Sequence, residues 1–395
     1  MPKIGDFYSG FSRIDLDTRG GFARVAEVIT RGREGVPEKC AFKLMRHEID
    51  FQKGLDRFEE ELRLLVAMTN DKGAPSAITQ IYDSGFAPMQ LSHDLWKLEK
   101  PDPKMEIIST GAEIEGFLQQ KSELQTQSPG EWLPYLVVEL APYDDSLLRQ
   151  IRTQPQDDPS GLFRFPTVEV IAMALQLLDV LNYLHTNHHR AYIDWKPEHI
   201  HWNGMDKQVK LIDWNVTTLL KDGPGEGQNI KDDLRLFCGA VLYISLTFVD
   251  PDDPTKPIGP RPTTELDSPI QEIQRRYATD KPNFYQRDIT LDEKIKRIIS
   301  RGLNPKQGFD SVHKLRRALL EYAEEELGLT EAELTLQTEP SSPYFQALTE
   351  VHLAQRQLFQ AQQRLKEATS VNGKRLEFKR LFDAITRALK NFPIS

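Results

Sequence analysis

The spacing of apolar residues changes along this 395-residue chain, from the alternation of strands to the periodicity of helices. Up to about residue 81 it predicts strand, glycine turn, strand, hairpin, strand, helix and strand, with the helix over 51–68. A fully apolar strand is predicted at 135–138, and helices follow over 168–185, 233–247 and 291–327. A strand-rich first part before a helix-rich second part predicts an α+β fold with two lobes.

Composition narrows the class of protein. The formal net charge of -9 argues against nucleic-acid binding through bulk positive charge. Cys40 and Cys238 are too few and too far apart for a disulfide framework, which predicts a reducing, cytoplasmic location. The N-terminus lacks the apolar run of a signal peptide, and the longest apolar stretch, 240–249, is about half of a membrane span. We therefore expect no nucleic-acid partner and no membrane.

Two segments extend the two-lobed pattern. Residues of about 89–132 are polar and rich in glutamine, and we expect an insert that either recognises a partner or covers a sheet edge. Near the C-terminus a helical pair with an apolar stripe is predicted, which packs on the parent lobe or binds a protein partner or a second copy. The predicted organisation is a first lobe over 1–138, a second lobe over 139–335 and a C-terminal helical hairpin over 340–395.

A glycine turn precedes the second predicted strand. Gly20 and Gly21 lie in this turn, and Val25 follows on the strand. Without a Cβ, such a turn lets backbone N–H groups approach phosphates, although an ordinary hairpin uses the same residues.

A single lysine, Lys43, lies in the next short apolar strand, two residues after Ala41. The helix that follows carries three consecutive glutamates at 59–61. A buried ammonium group needs a counter-charge, so a Lys–Glu pair that aims Lys43 at a phosphate is one prediction. The alternative is a lysine that reaches solvent from an edge strand.

Two aspartates lie on predicted loops next to apolar segments. Asp194 follows Tyr192-Ile193, and Asp213 ends the short apolar strand of residues 209–212. One carboxylate suits the removal of a proton from a hydroxyl group, and the other suits a metal ion. Either residue alone could equally be part of a turn or a helix cap. Each of these four features alone is weak evidence of function. Their occurrence in this order, with the glycine turn first, then the lysine and then the two aspartates, is much stronger evidence of a phosphate-binding site.

The order of these four features resembles the protein kinase superfamily over about residues 14–325. The resemblance implies ATP as the donor, Mg²⁺ or Mn²⁺, and a hydroxyl acceptor on a protein or a small molecule. It implies Asp194 as the catalytic base, Lys196 as a phosphate-directed lysine and Asp213 as a metal ligand, while Asp233 opens a buried helix. In this resemblance Val138 is the gatekeeper and 139–141 are the hinge. The implied nucleotide-binding positions are Gly20, Gly21, Val25, Ala41, Lys43, Glu61, Val138, Glu139 and Ala141.

Several positions depart from the family pattern. His199 stands where the second metal ligand is normally asparagine, and a nitrogen ligand favours Mn²⁺ over Mg²⁺. Ile193 replaces the arginine that grips a phosphorylated loop, and the segment from Asp213 to Asp233 is short and lacks A-P-E. Activity independent of loop phosphorylation is therefore expected. Asn215 replaces a glycine, and asparagine tolerates the left-handed conformation.

These departures leave three functions open. The leading interpretation is an atypical Ser/Thr-type protein kinase. The segment 211–214 also looks like the metal loop of aminoglycoside and choline kinases, which phosphorylate small molecules. The third interpretation is a pseudokinase that acts as a nucleotide-binding or interaction scaffold. For His201, which would share a strand face with His199, a surface role is favoured over a zinc site.

Overall fold

A computed structural model of the chain describes residues 2–14, 22–31, 35–128, 130–142, 145–153, 165–204, 206–220, 226–247, 249–250, 253–257 and 291–335. The glycines of the predicted phosphate turn, Gly20 and Gly21, lie outside the described residues, and so does the predicted C-terminal hairpin. Residues Met1–Thr338 form one compact unit.

A six-stranded antiparallel sheet occupies the first part of the chain, in the order β1-β2-β3-β6-β4-β5. Strand β6 reads Trp-Leu-Pro-Tyr-Leu-Val-Val-Glu and is largely buried, because it lies inside the sheet between β3 and β4. The strands are β1 (Tyr8–Arg13), β2 (Ala23–Thr30), β3 (Lys39–Met45), β4 (Ile81–Pro88), β5 (Ile108–Ser109) and β6 (Trp132–Glu139).

Helix α2 (Phe51–Asn70), which follows the short helix α1 (Ile4–Phe7), packs against the sheet. The carboxylate of Asp50 accepts a hydrogen bond from the backbone N–H of Lys53 at 2.8 Å, which caps the first turn. Buried apolar residues recur at helical spacing along one face, at Leu55, Phe58, Leu62, Leu65 and Met68. The helix predicted over 51–68 is therefore confirmed, with two further residues at its end.

The insert contains helices α3 (Met89–Lys97) and α4 (Ile114–Gln127) with β5 between them. Strand β5 pairs with β4 and extends the sheet at that edge. Phe117 of α4 is buried and stacks on Phe86 of β4, with ring centroids 4.7 Å apart. Of the two roles expected for the insert, the structure shows that it covers the sheet edge.

The second part of the described chain is mainly helical. It also contains a two-stranded antiparallel pair of β7 (Arg190–Ala191) with β10 (Thr218–Leu219) and a hairpin of β8 (Ile200–Asn203) with β9 (Gln208–Leu211). A two-stranded hairpin also joins Val249–Asp250 to Asp253–Pro257. The helices are α5 (Leu147–Thr153), α6 (Thr167–Tyr183), α7 (Glu226–Phe237), α8 (Ile244–Thr247) and three more at Glu293–Leu303, Val312–Tyr322 and Glu331–Leu334.

The helical stretch predicted over 291–327 is divided in the structure. Its first helix ends at Leu303, and the next begins at Val312. The side-chain oxygen of Asn304 accepts hydrogen bonds from the backbone N–H groups of Lys306 and Gln307, at 2.8 and 2.9 Å. This asparagine turn, followed directly by Pro305, ends the helix.

One helix among the described residues is long and apolar enough to cross a membrane, namely Thr167–His188, which comprises α6 and a π-helical turn. Of its most apolar window, 78% is buried inside the protein. The segment is therefore accounted for as the central core helix of the second part.

The predicted fold class is confirmed. An antiparallel sheet with one main helix comes first and a helical region follows, which makes an α+β architecture consistent with the bilobal kinase-like fold that the resemblance implies.

Candidate functional site

The ammonium group of Lys43 lies between two carboxylates. Its Nζ donates to both carboxylate oxygens of Glu61 at 2.8 Å and to Oδ1 of Asp213 at 2.6 Å. Lys43 and Glu61 are buried, whereas Asp213 is partly exposed. Strand β3, helix α2 and the loop after β9 therefore place one charged group each at a common point.

The charge states of this cluster follow from burial and from the neighbouring charges. Burial lowers the pKa of Lys43, but the carboxylates of Asp213 and Glu61 outweigh this effect, and the net pKa is raised. Burial raises the pKa of Asp213, whereas Lys43 and His199 lower it more, so that the net pKa is below its ordinary value. Burial raises the pKa of Glu61 despite the charge of Lys43. At neutral pH, Lys43 is therefore an ammonium and Asp213 a carboxylate.

Asp194 faces Asp213 across the imidazole of His199. Nδ1 of His199 lies 3.4 Å from Oδ2 of Asp194, and its Nε2 lies 3.4 Å from Oδ2 of Asp213. The three side chains offer one ligand atom each, all within 4.8 Å of one another. Two carboxylate oxygens and an imidazole nitrogen are a donor set that fits a divalent cation.

Lys196 adds a second cation beside this group. Its Nζ lies 2.8 Å from Oδ1 of Asp194. Burial lowers the pKa of Lys196, but Asp194 and Glu198 raise it by more, so it stays protonated.

The loop that carries Asp194 is anchored by a buried carboxylate on α7. The side chain of Asp233 is fully buried and accepts four hydrogen bonds of 2.7–3.0 Å, from the backbone N–H groups of Tyr192 and Ile193 and from the rings of Trp195 and His185. Ile193 has a φ of 48°, which is unfavourable for a β-branched residue. The bonds to Asp233 hold this strained backbone in place.

The loop that carries Asp213 is fixed by the following tryptophan. The indole N–H of Trp214 donates to Oγ1 of Thr79 at 3.1 Å, and both residues are buried. The left-handed residue of this loop is Asp213 itself, with a φ of 65°, and not Asn215 as the sequence suggested. Asn215 instead donates its side-chain N–H to Oδ1 of Asp213.

Each of the three consecutive glutamates of α2 pairs with a cation from a different part of the chain. Glu59 pairs with Lys121 of the insert at 2.6 Å, Glu60 with Arg190 of β7, and Glu61 with Lys43 of β3. We call these three pairs the α2 clamp. They fix the rotation of the helix that positions Lys43.

The predicted adenine-binding positions lie along the β3–β6 pairing. Ala41 is opposite Val138 on β6, and two residues further along β3 the buried Lys43 is opposite the half-buried Val25 of β2. The backbone N–H of Glu139 donates to the carbonyl oxygen of Gln80 at 2.8 Å, and Ala141 is buried. The hinge positions are thus close to the sheet, and their binding role stays a prediction.

A seam behind the cleft joins the sheet to the helical region. The backbone N–H of Leu211 donates to the carbonyl oxygen of Ala77 at 2.8 Å. The ammonium of Lys210 donates to the carbonyl oxygen of Ser76 at 2.7 Å and to the carboxylate of Glu139 at 2.8 Å. Strand β9, which ends just before Asp213, is therefore held directly against the segment that leads into β4.

The surface role expected for His201 is wrong. Its side chain is buried, with Nδ1 2.9 Å from the carbonyl oxygen of Pro142. It lies outside the Asp194–His199–Asp213 group. The sequence interpretation also omitted Arg57, which lies one helical turn before Glu61 on the same face of α2. That spacing is the signal that could have identified it.

Of the comparisons with known proteins, the one with solved structures gives matches. No family model matches the sequence, and no curated protein matches it. Among solved structures 1561 chains match, including the crystal structure of Rad53 1–466 in complex with AMP-PNP. That match has 18% identity and a TM-score of 0.45, covering 78% of this chain and 64% of the other. This chain thus covers less than two thirds of that one, and the chemistry is assigned from the site itself.

Proposed function

We propose that this chain is an ATP-dependent phosphotransferase of the protein kinase type, which transfers the γ-phosphoryl group to a Ser/Thr-type hydroxyl. The observation that carries this proposal is the convergence of Lys43, Asp194 and Asp213, which are far apart in sequence. Lys43 contacts Asp213 at 2.6 Å, and His199 lies within 3.4 Å of both aspartates. Phosphoryl transfer needs this kind of positioning and charge neutralisation more than covalent catalysis.

Asp194 is the base in this proposal. Its carboxylate accepts the proton of the acceptor hydroxyl as the hydroxyl oxygen forms a bond to the γ-phosphorus. The bond from the γ-phosphorus to the oxygen bridging to the β-phosphate breaks, and ADP leaves with that electron pair. Lys196, 2.8 Å from Asp194, lies where it can neutralise charge on the transferred group. Lys43, held by Glu61, would bind the oxygens of the remaining phosphates.

The residues present fit a divalent metal ion. Asp213 and His199 supply an oxygen and a nitrogen, and their ligand atoms lie within 4.8 Å of each other and of the carboxylate of Asp194. A bound Mn²⁺ or Mg²⁺ would neutralise phosphate charge and orient the donor. The imidazole of His199 favours Mn²⁺, since Mg²⁺ prefers an all-oxygen environment.

One observation favours the scaffold alternative. Oδ1 of Asp213 already accepts from Lys43 and from Asn215, and His199 bridges the two aspartates. A cluster neutralised by its own side chains can hold the two regions together without turnover. A transfer assay separates this alternative from an enzyme.

The test follows label from γ-labelled ATP with Mn²⁺ or Mg²⁺, with protein acceptors from cell extract and with small-molecule alcohols. We expect label on Ser/Thr-type hydroxyls of proteins, and a loss of about 10²–10⁴-fold in rate for Asp194→Asn, because the base is removed. Asp206→Asn, in an exposed turn, is the matched control and should retain the wild-type rate.

Each other outcome has a defined meaning. Label on small molecules alone would assign the chain to small-molecule phosphorylation. Nucleotide binding without any transfer would support the scaffold and contradict the proposed enzyme.

A further inference from the structure

Arg57 of α2 lies on the helix face that also carries Glu61. It lies four residues before Glu61, so both side chains project from one face of the helix. Its guanidinium carbon lies 3.8 Å from the centroid of the ring of Phe22, the residue directly before β2. The aromatic face supports one side of the planar guanidinium group and orients its N–H edge.

One nitrogen of this guanidinium is buried without a partner. Nη1 of Arg57 has no hydrogen-bond acceptor among the described residues. Buried polar groups in folded proteins nearly always have a partner, so an orphaned donor in a cleft indicates a missing ligand atom. Because an arginine side chain stays protonated in proteins, that ligand atom has to be an acceptor, and a charged one is favoured.

Two carboxylates act on the charge of Arg57. Burial lowers the pKa of the Arg57 guanidinium, and the carboxylates of Asp194 and Asp213 act in the opposite direction. Arg57 is therefore within electrostatic reach of both aspartates, although neither forms an ion pair with it among the described contacts. An anion between Arg57 and these aspartates has to bring its own cation or protonated group, as a metal-bound phosphate does.

We propose that Arg57 binds the terminal phosphoryl group of a metal-bound nucleoside triphosphate, and so lets the site distinguish a triphosphate from a diphosphate. This inference rests on the proposed function. Glu61 lies one helical turn further along α2 and contacts Lys43 of β3, which also contacts Asp213. Arg57 lies one turn before Glu61 and against Phe22, the residue that directly follows the predicted glycine turn at Gly20 and Gly21, so it is placed on the phosphate side of Lys43 in the proposed site. The planar fork of a guanidinium matches phosphate oxygens, and a lysine at this position would not.

The experiment measures the affinities of the full chain for a non-hydrolysable ATP analogue and for ADP, each with Mn²⁺, in wild type and in Arg57→Gln. We expect Arg57→Gln to weaken binding of the ATP analogue by about tenfold to a hundredfold, the range for one hydrogen bond to a charged group. Affinity for ADP should change by less than about twofold, because ADP lacks the group that Arg57 contacts. The retained ADP binding also shows that the variant is folded.

Two further variants sharpen the comparison. Lys53→Gln removes an exposed cation from the same helix and should leave both affinities unchanged. Arg57→Lys should recover less than the full discrimination, since it restores charge without the bidentate fork. If the affinity depended only on the net charge of α2, Lys53→Gln would weaken binding of the ATP analogue as much as Arg57→Gln does.

The failures of the two proposals are distinguishable. If the wild-type chain binds neither nucleotide, the proposed function is wrong and the role of Arg57 with it. If the wild-type chain binds both nucleotides but Arg57→Gln changes both affinities equally, or neither, the role of Arg57 alone is overturned.

Discussion

The imidazole of His201 lies under Pro142, whose carbonyl oxygen is 2.9 Å from Nδ1. Burial lowers the pKa of His201 from 6.5 to about 4. In the neutral ring, Nδ1 donates its hydrogen to the carbonyl oxygen of Pro142. A histidine held neutral in the core couples folding to pH, because the unfolded chain takes up the proton more readily.

The folded chain should therefore lose stability as the pH falls from about 6.5 toward 4. Over this range the unfolded state binds more protons at His201 than the folded state does, so the free energy of unfolding rises with pH. The contribution amounts to about 3 kcal/mol. We expect His201→Asn, which can still donate to Pro142, to flatten this dependence in urea unfolding at several pH values.

The exposed His189 provides the control, since its φ of 49° is also acceptable to asparagine. His189→Asn should leave the pH dependence as it is in the wild type. An unchanged slope in His201→Asn would show that another group carries the pH dependence.

At the scale of elements, α2 is the helix on which the cleft depends. Its α2 clamp ties it to the insert through Glu59, to β7 through Glu60 and to β3 through Glu61. The side chains of Lys121 and Glu59 are 15% and 20% exposed, so this pair is better shielded than a typical surface ion pair. The insert thus contributes to the position of Lys43 without touching it.

Removing the insert's part of the clamp should loosen α2. We expect Lys121→Met to lower the stability of the helix by about 1–2 kcal/mol, because Glu59 is left partly buried with less charge compensation. Hydrogen exchange of the α2 amides should then be faster by about 5–30-fold. Transfer activity should fall in parallel if the clamp positions Lys43.

Lys104→Met, at an exposed position of the same insert, should leave the exchange rates of α2 unchanged. Equal exchange rates in Lys121→Met and the wild type would show that Arg63, which also pairs with Glu59 at 2.8 Å, suffices to hold the helix.

Sequence periodicity predicted α2 and β6 well, because each has a continuous apolar pattern that matches its burial. The ion pairs of the α2 clamp could not be predicted from the periodicity of the sequence. Lys121 lies on a polar helix whose only fully buried residue is Phe117, and its pairing with Glu59 follows from the packing of α4 on the sheet edge. The left-handed residue of the metal loop was also misplaced, since Asp213 adopts that conformation under tertiary contacts from Lys43.

At the scale of the whole molecule, the site exists only in the folded chain. Lys43 and Asp213 are 170 residues apart, and they meet because β3 and β9 are joined through the sheet and the seam. The order of motifs predicted these residues as one site. It could not predict that His199 would lie within 3.4 Å of both aspartates, because that depends on the conformation of two loops.

A ligand that binds only the assembled site should raise the melting temperature of the chain. We expect a non-hydrolysable ATP analogue together with Mn²⁺ to raise the melting temperature by more than the sum of the shifts that the analogue alone and Mn²⁺ alone produce. The shift with Mn²⁺ should also exceed the shift that the analogue produces with Mg²⁺. At a ligand concentration of about 100 times Kd, the stabilisation is about 2.7 kcal/mol. Thermal unfolding followed by circular dichroism or dye fluorescence measures the shift.

In this assay, Asp213→Asn should remove the synergy between metal and nucleotide, while Asp206→Asn should preserve it. A larger shift with Mg²⁺ than with Mn²⁺ would contradict the assignment of His199 as a nitrogen ligand.

The two sides of the cleft are held by different kinds of contact. At the seam, the backbone hydrogen bond from Leu211 to Ala77 acts together with the ion pair Lys210–Glu139, whereas at Asp213 and at β7 the contacts are the ion pairs Lys43–Asp213 and Arg190–Glu60. Dissolved ions screen partly exposed charge pairs over about 8 Å at physiological strength, and they leave backbone bonds largely untouched. Added salt should therefore weaken the Arg190–Glu60 pair, whose glutamate is the most exposed of these partners, while the backbone hydrogen bond from Leu211 to Ala77 persists.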